Sequence, residues 1–152
     1  VDVTDPTATI PNLSTDQGWY IRFVDDSGNA VGEKALAEGT VFYKTFYITT
    51  FTPNNDPHVP GGVGKLYALS YLTGAAVLDF DNDANLDRIS TIGGGILSKP
   101  VTLITWTGTK LLISVGSANP DTANPSLGAG VRTIDPLMPP VNFFYRFWRE
   151  VF

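Results

Sequence analysis

The run Asp79-Phe80-Asp81-Asn82-Asp83-Ala84-Asn85-Leu86-Asp87 sets carboxylates at alternate positions and adds one more after a gap. Calcium is a hard cation that gathers about 6–8 oxygens, and D-x-D-x-D loops wrap alternating carboxylates around it. Asp79, Asp81 and Asp83 take the first, third and fifth places of such a loop, Asn85 offers a backbone carbonyl at the seventh, and Asp87 a carboxylate at the ninth. These five residues are the candidate metal ligands, and calcium is the expected ion. Two places depart from the helix-flanked form of the loop: Ala84 stands where Gly is usual, and Ser90 stands where a bidentate Glu would be. The run also reads as a solvated acidic turn, although four close carboxylates repel one another without a cation.

Other reactive residues do not assemble into a reaction centre. His58, the single histidine, lies in the loop NNDPHVPGG with no Ser or Cys nucleophile at a readable spacing. Asp25 and Asp26 are adjacent, whereas glycoside hydrolysis needs two carboxylates placed on either side of a bond. Gly61-Gly62-Val63-Gly64 precedes a strand pattern, so no helix N-terminus follows to hold a phosphate. No catalytic residues are assigned, and the chain reads as a non-enzyme.

The elements that must position these residues are strands. The chain has 152 residues, 43% of them hydrophobic and only 16% charged, with 9 Phe, 6 Tyr and 3 Trp. That composition argues for a packed core and against disorder. Gly and Pro are frequent, at 15 and 11 residues, as expected for short strands joined by tight turns. There is no cysteine, which excludes disulfides, zinc–thiolate sites and thiol catalysis. The net charge of −5 is concentrated in residues 1–38 and 75–90, and no Lys/Arg cluster forms a stripe for nucleic acid. No segment reaches the roughly 18 apolar residues of a membrane span, and no signal peptide is present. The absence of an initial Met fits a processed product.

Residues 1–18 carry Pro6 and Pro11 and read as an extended N-terminal arm or donor strand; residues 19–152 read as a single β-domain. Strand patterns follow at Trp19–Val24, Thr40–Thr52, Leu66–Tyr71, Ala75–Phe80, Val101–Thr105, Lys110–Val115, Gly130–Ile134 and Asn142–Trp148. Turns are expected at Asp25–Asn29, Leu72–Gly74 and Trp106–Thr109, and a bulge or close backbone approach at Gly93-Gly94-Gly95. Only Glu33–Glu38 has helical composition, and Gly39 closes it. The fold class is all-β, with antiparallel sheets in a partial propeller-like arrangement of about two blades or in a sandwich. A propeller typically needs 4–8 blades to close, so this chain cannot close one alone.

Several segments, in order, resemble the C-terminal propeller region of PilY-type proteins, which serve type IV pilus biogenesis and adhesion. They are TTFTPNNDP with the following GG and KLYALSYLTG (Thr49–Gly74), GGGILSKPV (Gly93–Val101), TGTKLLISVGS (Thr107–Ser117), GAGVRTIDP (Gly128–Pro136) and FFYRFWREVF (Phe143–Phe152). The likeness runs from about Trp19 to the end. It implies an extracellular or bacterial cell-surface β-protein of propeller ancestry, often calcium-dependent, that promotes pilus assembly and contacts surfaces. The family's calcium loop is likewise of the D-x-D-x-D-x-x-x-D type. Two departures stand out: His58 occupies a place where the family often has Cys, and the family's propeller is several times longer.

Two functions follow as expectations. The first is a non-enzymatic PilY-type protein of the pilus or cell surface, with protein partners. The second is a self-assembling filament subunit, in which the arm donates a strand to the sheet edge of a neighbour. The ending, with Phe143, Phe144, Tyr145, Phe147 and Trp148 interrupted by Arg146 and Arg149, reads either as a closing core strand or as an intermolecular contact. Glu150 argues against an outer-membrane barrel terminus.

Overall fold

The computed structural model describes residues 1–5, 10–25, 27–56, 58, 61–116 and 130–137. Among these residues the chain is all-β, with eight strands: β1 (Lys34–Ala35), β2 (Thr40–Phe42), β3 (Thr45–Pro53), β4 (Gly62–Ser70), β5 (Ile89–Gly93), β6 (Val101–Thr105), β7 (Gly108–Val115) and β8 (Gly130–Ile134). They form two open antiparallel sheets. The first runs β1-β3-β4-β5, with β2 also pairing with β3, and the second runs β6-β7-β8. Neighbours in sequence are largely neighbours in space, as in a meander, and the sheets stack around a shared core in a sandwich-like arrangement.

The hairpin β3–β4 organises the first sheet. Its register is continuous from Thr45↔Ser70 to Pro53↔Gly62. The β3 sequence TFYITTFTP is almost wholly β-branched and aromatic, a composition that suits a pleated and covered surface. Alternation sends Tyr47 and Thr49 to one face, beside Leu66 and Ala68 of β4. Leu111, Ile113 and Val115 of β7 face them, and Ile92 and Leu97 complete the cluster. Each such large apolar side chain contributes about 1.5–3 kcal/mol when fully buried.

The opposite face of the first sheet is also covered. Tyr67 and Leu69 are buried there, and the Phe23 ring lies 5.5 Å from that of Tyr67. Within the segment expected as an arm, Asp2 forms a parallel bridge with Tyr20, and Val3 is only 2% exposed. Trp19 Nε1 donates to the Tyr71 carbonyl at 3.0 Å, and the Arg88 guanidinium donates to the Val3 carbonyl. A Cβ on Gly74 would lie 2.7 Å from Val3 Cγ2 and 2.9 Å from the Trp19 indole, so the turn must be glycine for the N-terminal segment to seat.

Several local expectations meet a different geometry. Thr40–Thr52 is not one strand, because Tyr43 and Lys44, with φ of 41° and 63°, fold it into the two-residue hairpin β2–β3. Such turns need positive φ at both residues and usually announce themselves as Asn-Gly; Tyr-Lys hides the signal. Glu33–Glu38 is extended, with Lys34 and Ala35 paired to Phe51 and Thr50. Trp19–Val24 and Ala75–Phe80 make isolated bridges instead of strands. Ile89–Gly93, with no strand expected, pairs with β4. At the glycine run, where a bulge or a close approach is expected, the β4–β5 register shifts between Gly64 and Lys65, and a Cβ on Gly64 would come within 2.6 Å of the Gly95 carbonyl. The strand expected at Asn142–Trp148, with the aromatic ending, lies outside the described residues. No helix among the described residues is long and apolar enough to cross a membrane.

Candidate metal loop

The acidic run hangs from the first sheet where β4 turns back toward β5. Leu78 and Asp87 form an antiparallel bridge, with Asp87 N donating to the Leu78 carbonyl at 2.6 Å, and this closes the loop between them. Asp79 shapes the loop from its first position. Its Oδ1 accepts from the amides of Asn82 at 2.6 Å and Asp83 at 3.2 Å, and its Oδ2 accepts from Ala84 N at 2.9 Å. One carboxylate thus satisfies successive amides that would otherwise point into an empty turn. Asp87 Oδ2 closes the far side by accepting from Phe80 N at 3.1 Å.

Two residues adopt left-handed backbone to make this possible, Asn82 at φ 62° and Ala84 at φ 70°. Asn tolerates that region through its short polar side chain, whereas Ala costs roughly 1–2 kcal/mol there. The sixth place, where the sequence departs from the usual Gly, therefore keeps the glycine-like conformation without the glycine.

Carboxylate oxygens of Asp79, Asp81 and Asp87 lie within 4.8 Å of one another. Asp83, the remaining carboxylate candidate, is not part of that group. Asp83 Oδ1 accepts from Asn85 N at 2.8 Å, and its Oδ2 accepts from Asn85 Nδ2 at 3.0 Å, so these side chains satisfy each other. The electrostatics match this division. Partial loss of water, with the charges of Asp83, Asp87 and Asp79, pushes the Asp81 carboxyl above its ordinary value despite an amide hydrogen bond from Asp83. Bonds from Asn85 hold Asp83 below the ordinary value.

The donor set fits a hard cation: it is all oxygen and anionic, and Asp79 Oδ2, which accepts one amide hydrogen bond where Oδ1 accepts two, retains a lone pair for a metal. Three side chains fall short of calcium's usual coordination, so Asp83, backbone carbonyls or water would have to complete the shell. Beside the loop a cleft of about 470 Å³ runs between the sheets, bordered by Asp79, Phe80 and Ile92 on one side and by Arg132 and Asp135 on the other.

A second polar cluster was not legible in the sequence. Glu33 is buried on the outer face of the first sheet, where it accepts from Thr50 Oγ1 at 2.6 Å, Tyr67 OH at 2.7 Å and Lys65 Nζ at 2.8 Å. Burial alone would raise its pKa, but these three donors outweigh it and hold the carboxyl below its ordinary value. Burial, followed by the Glu33 carboxylate, pushes the Tyr67 hydroxyl far up. The signal available in advance was Lys65 inside an apolar strand pattern, which demands a partner but does not say which.

Of the remaining candidates, Asp25 is an ordinary turn acid. Its Oδ1 accepts from the Ser27 and Asn29 amides, which lie in the expected turn. His58 N donates to Asp56 Oδ1 at 2.9 Å. Fold and loop together define an all-β domain that bears an acidic loop with metal-type ligands. The chain matches no protein-family model, no curated protein and no solved structure.

Proposed function

We propose that this chain is a non-enzymatic β-module of the PilY type, acting in type IV pilus assembly or surface adhesion outside the bacterial cell, with calcium held in the loop 79–87. The observation that carries this reading is the convergence of Asp79, Asp81 and Asp87 on a loop whose backbone is already shaped around Asp79. A metal loop braces a short connection between strands, a role suited to a protein that bears load between partners. The order of the segments from Thr49 to Phe152 that resemble PilY-type proteins gives the module its setting. Replacing the chromosomal copy in the source organism with Asp79→Ala/Asp81→Ala tests it. Fewer surface pili and weaker adhesion, at unchanged protein level, are expected; unchanged piliation and adhesion would overturn it.

Val3 favours a second reading, a filament subunit. It is a buried apolar anchor on a terminal segment held by one bridge and a few hydrogen bonds. An anchor of that kind can exchange between copies at little cost, because its pocket beside Trp19 and Gly74 is the same in each copy. Removing residues 1–16 separates the readings: filaments seen by electron microscopy would fall to single subunits, whereas a monomeric module would keep its size.

A further inference from the structure

Among the described residues the second sheet has two open edges, β6 and β8, and β6 stands out. Edge strands are normally guarded by charge, proline, bulges or brevity, because their outward N–H and C=O groups template pairing with another chain. The β6 sequence Val101-Thr102-Leu103-Ile104-Thr105 has no charge, bulge or internal proline. It pairs with β7 alone among the described residues. Val101, Leu103 and Ile104 are exposed, Ile104 to 61%, and Trp106 in the adjoining turn is 98% exposed. The nearest cations are already engaged, Lys99 with Glu38 at 2.8 Å and Lys110 with Asp135.

We propose that β6 is a self-docking edge, at which a second copy of this chain pairs antiparallel about a two-fold axis through Leu103. The hairpin fixes which groups are on offer. Thr105 and Gly108 close a two-residue turn, so Thr105, Leu103 and Val101 direct their backbone groups at β7. Thr102 and Ile104 therefore direct theirs outward. An axis at Leu103 sets Thr102 of one copy opposite Ile104 of the other, and the outward N–H and C=O of both residues find partners. An axis at Thr102 would face Ile104 with Pro100, which has no N–H to give, and an axis at Ile104 would face Thr102 with Trp106 in the turn.

The side chains are compatible with the same register. Val101 falls opposite Thr105, no like charges oppose, and Trp106 of each copy reaches the start of the other's β6, supplying an aromatic of the type enriched in interfaces. The result is one continuous sheet through both copies, closed by symmetry. It is therefore a dimer and not an open polymer.

Sedimentation velocity on the full chain across a concentration series tests the proposal. Wild type is expected to associate to a dimer. Leu103→Lys, which sets two cations face to face at an exposed position, should weaken the dimer by about tenfold or more. Ile104→Pro, which removes an outward N–H without breaking the β7 ladder, should do the same. Val131→Lys, at an exposed site on β8 at the other edge, should leave the dimer intact. A wild type monomeric at all concentrations, a dimer indifferent to both β6 changes, or an open series of larger species would each overturn it.

Discussion

The Glu33 cluster and the loop 79–87 solve the same problem in opposite ways. Each gathers carboxylate charge against the first sheet. At Glu33 the chain supplies every partner itself: a cation from Lys65 and hydroxyls from Thr50 and Tyr67, all within 2.8 Å. At Asp79, Asp81 and Asp87 three carboxylates converge instead, and the partners seen at Asp79 and Asp87 are backbone amides that shape the loop. Opposite pKa directions express the contrast, with Glu33 held down and Asp81 pushed up. An internally balanced charge is a structural fixture; the three converging carboxylates are where the proposed calcium would sit.

The largest effect should come from disturbing the balanced cluster. Glu33→Ala strips Lys65, Thr50 and Tyr67 of their acceptor and leaves a partly buried ammonium without its counter-charge. Chemical denaturation should show a loss of about 3 kcal/mol, the lower end of the range for breaking a buried pair, since Lys65 keeps some contact with water. A loss below 1 kcal/mol would mean that water already satisfies the cluster. Glu33→Gln should recover part of the loss, because an amide oxygen still accepts from a hydroxyl.

Next in size is Val3→Ala. The side chain is buried between Trp19 and the Gly74 turn, and truncation should cost about 2 kcal/mol by the same measurement. An effect within 0.5 kcal/mol of zero would show that the N-terminal segment contributes little to the fold, and would free it for exchange between copies.

The pH dependence sharpens the comparison because the two regions titrate with opposite sign. Glu33 has a folded pKa below its unfolded value of about 4.3. Its contribution is present above that unfolded value and is lost as pH falls through the folded one. Asp81 has a folded pKa above its unfolded value, so its contribution is present below the unfolded value and lost as pH rises through the folded one. Calcium-free Asp81→Asn should therefore be as stable as wild type or slightly more so near neutral pH, whereas Glu33→Gln should flatten the acid limb of the stability curve. Thermal melts from pH 3 to 7 check both.

The smallest effect belongs to Ala84→Gly. At φ 70° a glycine relieves left-handed strain, so the variant should gain about 1 kcal/mol by thermal or chemical denaturation. Destabilisation instead would mean that the unfolded chain's added freedom outweighs the relief.

How far these features could be read in the sequence follows from their range. The all-β class was legible because β-branched and aromatic runs recur between Gly-, Asp- and Asn-bearing turns, and the turn at Asp25–Asn29 is held by bonds from within itself. The Tyr43-Lys44 turn was not legible, since neither residue advertises positive φ and tertiary pairing forces the hairpin. In the acidic loop, the spacing named the carboxylates that converge and also Asp83, which does not join them. Asp83 and Asn85 satisfy each other through side-chain bonds that a spacing pattern cannot foresee. Glu33 lay beyond reach altogether, because its partners stand 17, 32 and 34 residues away in sequence.

Isothermal titration of calcium into chelator-treated protein, beside the Asp81→Ala variant, tests the metal loop most directly. Saturable heat in the wild type, its loss in the variant, and a melting temperature that rises with calcium only in the wild type are the predicted results. A wild type that neither binds calcium nor gains stability from it would contradict the account, leaving the loop as a solvated acidic turn.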